Sequence, residues 1–142
     1  MSVDPRAATG FAGVTDAYAR GRPGYPTEAI DRIVAELELD EASSVLDLAA
    51  GTGQLSRLVH TRIRHIFAVE PVQPMRARIV DDLPGVTVLD GTAEAIPLPD
   101  CAVDAVLVGE AFHWFSTVPA TAEIDRILSP EGGLALLWNT PT

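Results

Sequence analysis

An α/β fold with a doubly wound parallel sheet is what this sequence predicts, and three observations carry the expectation. Short apolar runs alternate with segments of helical periodicity along the 142 residues, the pattern of parallel strands joined by crossover helices. Those runs are apolar at nearly every position, as strands covered on both faces must be. Finally, Val45-Leu46-Asp47-Leu48-Ala49-Ala50-Gly51-Thr52-Gly53-Gln54 passes from a strand through a glycine turn into a helix, the element that lines the ligand crevice at the carboxyl ends of such strands. The expected topology is a Rossmann-like sheet of strand order 3-2-1-4-5.

Each element has its own signal. Residues 11–26, rich in Gly, Pro and aromatics, read as loop with a turn of helix. Thr27 is the expected N-cap of the first helix, Glu28 suits its first turn, and Ile30, Ile33, Val34 and Leu37 recur on one face. Strand one is expected at 44–48 after the acidic turn Asp40-Glu41, and a helix at 53–61. Strand two runs over 66–70 and ends in Glu70; a helix at 73–81 carries Met75 and Ile79 and stops at Pro84-Gly85. Strand three at 86–89, strand four at 103–108, a helix at 119–128 and strand five at 134–138 complete the pattern. Ser129-Pro130-Glu131-Gly132-Gly133 is expected as a breaker turn before the last strand. Without repeats or low-complexity stretches, residues 1–142 read as one domain.

The glycine turn implies a ligand that touches bare backbone, because glycine tolerates positive φ and leaves room against the peptide plane. Asp47 before the turn disfavours a pyrophosphate, which needs amide donors rather than a carboxylate. Glu70, at the end of the second strand, occupies the place from which an acid accepts hydrogen bonds from ribose hydroxyls. Together Asp47 and Glu70 suit a nucleoside that carries positive charge in place of phosphate. S-adenosylmethionine, with sulfonium and ammonium groups, fits that description.

These residues resemble those of class I S-adenosylmethionine-dependent methyltransferases, specifically the small-molecule group called type 11. Four blocks carry the resemblance from about residue 11 to the C-terminus. The first is the turn itself, with Ala49 in the family's first glycine position; the second is Val69-Glu70-Pro71, with Met75 following. The third is Gly91-Thr92-Ala93-Glu94-Ala95-Ile96-Pro97-Leu98-Pro99-Asp100, and the fourth runs from Val103 through Gly109-Glu110-Ala111-Phe112-His113-Trp114-Phe115. The resemblance implies cofactor contacts at Asp47, Ala49, Gly51, Gly53, Gln54, Glu70 and Pro71. It implies further contacts from Met75 against adenine, from Thr92, Ala93 and Glu94 at the adenine edge, and from Gly109, Glu110 and Ala111. Tyr18, Arg22 and Tyr25 resemble the N-terminal segment that folds over the cofactor, with Arg22 meeting the methionyl carboxylate. His113 is the candidate catalytic base, since a neutral imidazole accepts a proton near neutral pH.

That family's sheet continues after strand five with a helix and a β-hairpin, strands 6 and 7, whereas this chain stops at Thr142. Residues 134–138 are therefore expected as an apolar sheet edge, either because the sequence is cut short or because a second copy covers it as a homodimer. An inactive S-adenosylmethionine-binding or partner-subunit protein is the alternative to an enzyme. An NAD-dependent oxidoreductase is disfavoured by Asp47 and by Ser56 where the last glycine or alanine of the dinucleotide motif would stand.

Composition sets the remaining bounds. A net charge of -10 disfavours nucleic acid as a partner, and the acceptor is expected to be a small molecule. Cys101 is the single cysteine, no signal-peptide-like or membrane-spanning run occurs, and a cytoplasmic location is expected. One cysteine and three scattered histidines offer no zinc-ligand spacing, and no G-x-S-x-G nucleophile elbow is found.

Overall fold

The structure, a computed structural model, describes residues 2–4, 13–17, 25–109 and 118–138. In chain order its elements are β1 (Ser2–Asp4), β2 (Gly13–Ala17), α1 (Thr27–Glu36), β3 (Ser44–Leu48), α2 (Gln54–Val59), β4 (His65–Val69), α3 (Gln73–Asp82), β5 (Thr87–Leu89), β6 (Val103–Gly109), α4 (Val118–Ile127) and β7 (Leu128–Trp138). The sheet order is β1-β2-β7-β6-β3-β4-β5. Its strands β5, β4, β3, β6 and β7 are all parallel and reproduce the expected 3-2-1-4-5.

Alternation along these strands divides the core into two layers. Val45, Ala105, Leu107, Ala135 and Leu137 pack with Ile30, Leu55 and Ile79 of α1, α2 and α3. Their neighbours Leu46, Leu48, Val106, Val108, Leu134 and Leu136 pack with Ala120, Ile124 and Ile127 of α4. A period of two on a doubly covered sheet explains why the strands read as continuous apolar runs.

The structure corrects five expectations. Residues 11–26 do not read wholly as loop and helix: Gly13–Ala17 forms β2, parallel to β7 with Val14 opposite Ala135 and Ala17 opposite Trp138. The edge expected to stand free is thereby paired, since its unused N–H and C=O groups are a template for another strand. A second copy is not required to cover it. The 129–133 turn is instead part of β7, as a bulge: Val103 opposes Leu128 while Ala105 opposes Gly133. Gly132 permits it, because a Cβ there would stand 2.9 Å from the Asp104 carbonyl oxygen. Asp104 stitches this bulge to β3, its carboxylate accepting the Ser44 N–H at 2.9 Å and the Ser129 hydroxyl at 3.2 Å.

Thr27 is the first helical residue rather than the cap. Extended Pro26 holds the N-cap position without a side-chain bond, its carbonyl accepting the Ala29 N–H at 3.1 Å. The second helix begins one residue later than expected, because Gly53 at φ 87 is left-handed, and it ends at Val59. Among the described residues no helix is long and apolar enough to cross a membrane.

The loop after β5 is closely packed. A Cβ on Gly91 would lie 2.6 Å from Pro97 Cδ and 3.2 Å from the Ala95 carbonyl oxygen, and neither neighbour is a flexible chain end. Gly91→Ala is therefore expected to destabilise the protein by about 1–3 kcal/mol, the usual effect of overpacking. Urea unfolding checks this; an unchanged midpoint would contradict it.

Candidate functional site

Three left-handed residues make the turn after β3: Ala49 at φ 56, Gly51 at φ 60 and Gly53 at φ 87. Ala49 tolerates this conformation at a cost of about 1–2 kcal/mol that a glycine there would avoid. The turn is pinned by the Ala50 N–H to the Val69 carbonyl at 3.1 Å and by the Gly53 N–H to the Ala50 carbonyl at 2.9 Å. A Cβ on Gly51 would meet no protein atom within 4 Å, because that side of the turn is open.

The open side is a cavity of about 250 Å³ lined by Tyr25, Asp47, Ala49, Ala50, Gly51, Thr52, Gln54, Leu55, Met75 and Gly109. It lies at the carboxyl ends of β3 and β6, where open α/β sheets take their ligands. Gly109 matters here, since a Cβ on it would stand 2.9 Å from the Tyr25 hydroxyl and 3.1 Å from Leu55 Cδ1. Tyr25 closes against the sheet by donating its hydroxyl to the Leu137 carbonyl at 3.4 Å. A larger cavity of about 420 Å³, bordered by Leu37, Asp40, Asp104 and Glu131, sits at the opposite ends of the strands.

Among the described residues that line the smaller cavity there is neither Lys nor Arg, and Asp47 is the one ionisable carboxyl. It is only 2% exposed. Its Oδ2 accepts the Ser56 N–H at 3.1 Å and the Ser56 hydroxyl at 2.7 Å, so it caps α2 from the preceding strand. Burial pushes its pKa from 3.8 up to about 7, against the pull of the two Ser56 hydrogen bonds, with a smaller upward contribution from Glu70. A positive charge in the cavity would restore the ionised form.

Glu70, 5% exposed, clasps two turns. Its Oε1 accepts the Gly51 N–H at 2.8 Å and its Oε2 accepts the Val72 N–H at 3.0 Å. Each oxygen keeps a further lone pair for a hydroxyl donor. Arg76 braces the same corner, donating to the carbonyls of Glu70 at 3.0 Å and Pro71 at 2.9 Å and pairing with Asp90 at 3.2 Å.

Of the residues expected from sequence, the cavity brings together Asp47, Ala49, Gly51, Gln54, Met75 and Gly109. Gly53, Glu70 and Pro71 stand behind it in the supporting turns. Thr92, Ala93 and Glu94 belong to the loop after β5, joined to the same corner by the Glu70 N–H to the Leu89 carbonyl at 3.1 Å, but do not line the cavity. Tyr18, Arg22, Glu110, Ala111 and His113 lie outside the described residues. Leu55 and the buried Ser56 went unassigned in the sequence, where nothing distinguishes them from ordinary helix residues. Tyr25, named in the sequence with the segment expected to fold over the cofactor, is a wall of the cavity.

Residues 46–136 match the family described as a methyltransferase domain. An uncharacterized methyltransferase of Mycobacterium bovis is 45% identical over 130 residues, covering 92% of this chain and 52% of that protein. An uncharacterized methyltransferase-like protein of Schizosaccharomyces pombe is 41% identical over 124 residues, covering 87% and 48%. The chain thus spans about half the length of the curated relatives it matches. In fold it is similar to a SAM-dependent methyltransferase from Aquifex aeolicus, with a TM-score of 0.61 at 24% identity over 89% of this chain and 63% of that one.

Proposed function

The chain belongs to the methyltransferase domain family, and from that premise we infer that it binds S-adenosylmethionine in the cavity beside Asp47 and passes its methyl group to a small-molecule acceptor. The observation that carries this reading is the buried Asp47 carboxyl in a lining whose described residues include neither Lys nor Arg. Such a wall repels phosphate and rewards a cation. The capped start of α2 supports it further, because the Ser56 amide that a phosphate would seek is already held by Asp47.

When bound, S-adenosylmethionine supplies an electrophilic methyl on a positively charged sulfur. Among the chain's own groups, the left-handed turn at Gly51 presents bare backbone, Glu70 accepts from ribose hydroxyls with its spare lone pairs, and Met75 at the rim covers the base. Holding two reactants in line within about 3–3.5 Å supplies several kcal/mol of the barrier by proximity. His113 is the proposed base for a hydroxyl or amine acceptor, and Tyr18 and Arg22 are proposed to close over the cofactor. The single cysteine supports a cytoplasmic setting.

Calorimetric titration with S-adenosylmethionine and S-adenosylhomocysteine, followed by a methyl-transfer screen, tests the reading. Binding is expected, and Glu70→Ala is expected to weaken it by about 1–3 kcal/mol, the loss of charged hydrogen bonds. No affinity at millimolar cofactor would refute the reading. Binding without turnover of any acceptor would favour the inactive, partner-subunit alternative.

A further inference from the structure

Ser56 is fully buried, in the first turn of α2, whose N-cap Gly53 has no side chain to offer the free amides. The acceptor comes from β3 instead. Asp47 Oδ2 takes both donors of this one residue, the N–H at 3.1 Å and the hydroxyl at 2.7 Å, which fixes the carboxyl group. Its Oδ1 then has no hydrogen-bond partner among the described residues, in a side chain that is 2% exposed and lines the cavity. A buried oxygen left so is a place for a ligand's donor.

The other ionisable groups around Asp47 are committed elsewhere. Glu70, past the end of β4, acts on Asp47 by its charge, but its two oxygens hold the Gly51 and Val72 amides. On α2, Arg57 donates to the Thr52 carbonyl and pairs with Asp82, and His60 is exposed. On α3, Arg76 holds the Glu70 and Pro71 carbonyls and Asp90, while Arg78 pairs with Asp82. Tyr25 donates to the Leu137 carbonyl. Glu28, Asp31, Arg32 and Glu36 of α1 are exposed, and Asp104 stands at the far end of β6.

We propose that Ser56 is a positioning residue for the ligand's cationic end: its amide and hydroxyl hold one oxygen of Asp47, turn the other to the cavity, and keep the carboxyl in the anionic form that a cation requires. This rests on the S-adenosylmethionine reading above. Burial drives Asp47 up to about 7, and the two Ser56 hydrogen bonds oppose it. A carboxyl that holds a proton below that pH must release it to bind a cation, so affinity rises with pH and levels off above about 7. Without the Ser56 hydroxyl the levelling point moves to higher pH.

The test is calorimetric titration of wild type and Ser56→Ala with S-adenosylhomocysteine, which carries the same ammonium, from about pH 6 to pH 9. Titration of that ammonium is common to both proteins and cancels in the ratio of their affinities. Ser56→Ala is expected to bind about tenfold more weakly at about pH 6, one pKa unit of effect, and within about twofold of wild type at about pH 9. In an Asp47→Asn background the same substitution should give a ratio that does not change with pH. A merely structural role would weaken binding by one factor at every pH, and that result would overturn the proposal. If Ser56→Ala does not fold, Ser56→Cys, close in size but a weak donor, decides by the same fall in ratio between pH 6 and pH 9. Failure of wild type to bind at any pH would refute the cofactor reading itself, a result distinct from a ratio without pH dependence.

Discussion

Asp47→Asn is expected to make the protein more stable at about pH 8, by about 2–4 kcal/mol, while weakening cofactor binding ten- to a hundredfold. The folded pKa lies at about 7 against 3.8 ordinarily, so between those values the folded chain keeps a proton that the unfolded chain has lost. Stability from this group is therefore full below about pH 4, falls as pH rises towards 7, and is flat above. At about 1.4 kcal/mol for each factor of ten, the fall is on the order of 4 kcal/mol. An asparagine keeps the shape, and its amide oxygen still accepts from Ser56, but it carries no charge to bury; its unpaired amide hydrogens offset part of the gain. Urea unfolding of both proteins at about pH 5 and pH 8 measures the difference. Equal pH dependence in the two would show that Asp47 is not the buried titrating group. The loss of affinity follows from the same carboxylate, which a cation in the cavity would hold ionised, so stability and binding move in opposite directions.

Gly51→Val is expected to abolish detectable cofactor binding while leaving the protein folded. A branched residue at φ 60 costs about 1–2 kcal/mol in backbone strain, a drop of several degrees in Tm for a chain of this size. The added side chain meets no protein atom close to its Cβ; it occupies the cavity instead. Gly53→Ala makes the contrast, for its Cβ would stand 3.1 Å from Ile79 Cγ1, in the core rather than in the cavity. Its effect should fall on stability more than on affinity. Circular dichroism melts with calorimetric titration separate the two variants, and cofactor affinity of wild-type strength in Gly51→Val would mean that the ligand does not approach this turn.

The five-strand order is legible in the sequence because strands buried on both faces leave long apolar runs, and because Gly51 and Gly53 interrupt them at one place with an acid on either side. Asp47 and Gly51 could be assigned to the cavity for the same reason, although Asp47 also caps α2 through Ser56. Other features depend on partners distant in the chain and leave no local mark. Gly13–Ala17 becomes a strand only because β7 offers it an edge. Ser129 to Gly132 reads as a turn, yet it is a bulge because Val103 and Ala105 continue the ladder on either side of Asp104. Thr27 looks like a cap, but the preceding proline already supplies an extended residue with an available carbonyl. Glu70 is recognisable as an acid at a strand end, whereas its bonds to Gly51 and Val72 need the folded corner to exist. The contacts of Arg126 with the carbonyls of Ile96 and Leu98 span about thirty positions in the chain and follow no spacing rule.

The most direct measurement is a crystal structure of the protein soaked with S-adenosylmethionine. The ligand is expected against the Gly51 turn, its sulfonium and ammonium end towards Asp47, its ribose hydroxyls on Glu70 and its base by Met75. Density for it in the larger cavity near Asp104, or no density at saturating concentration, would contradict the assignment of this cavity as the cofactor site.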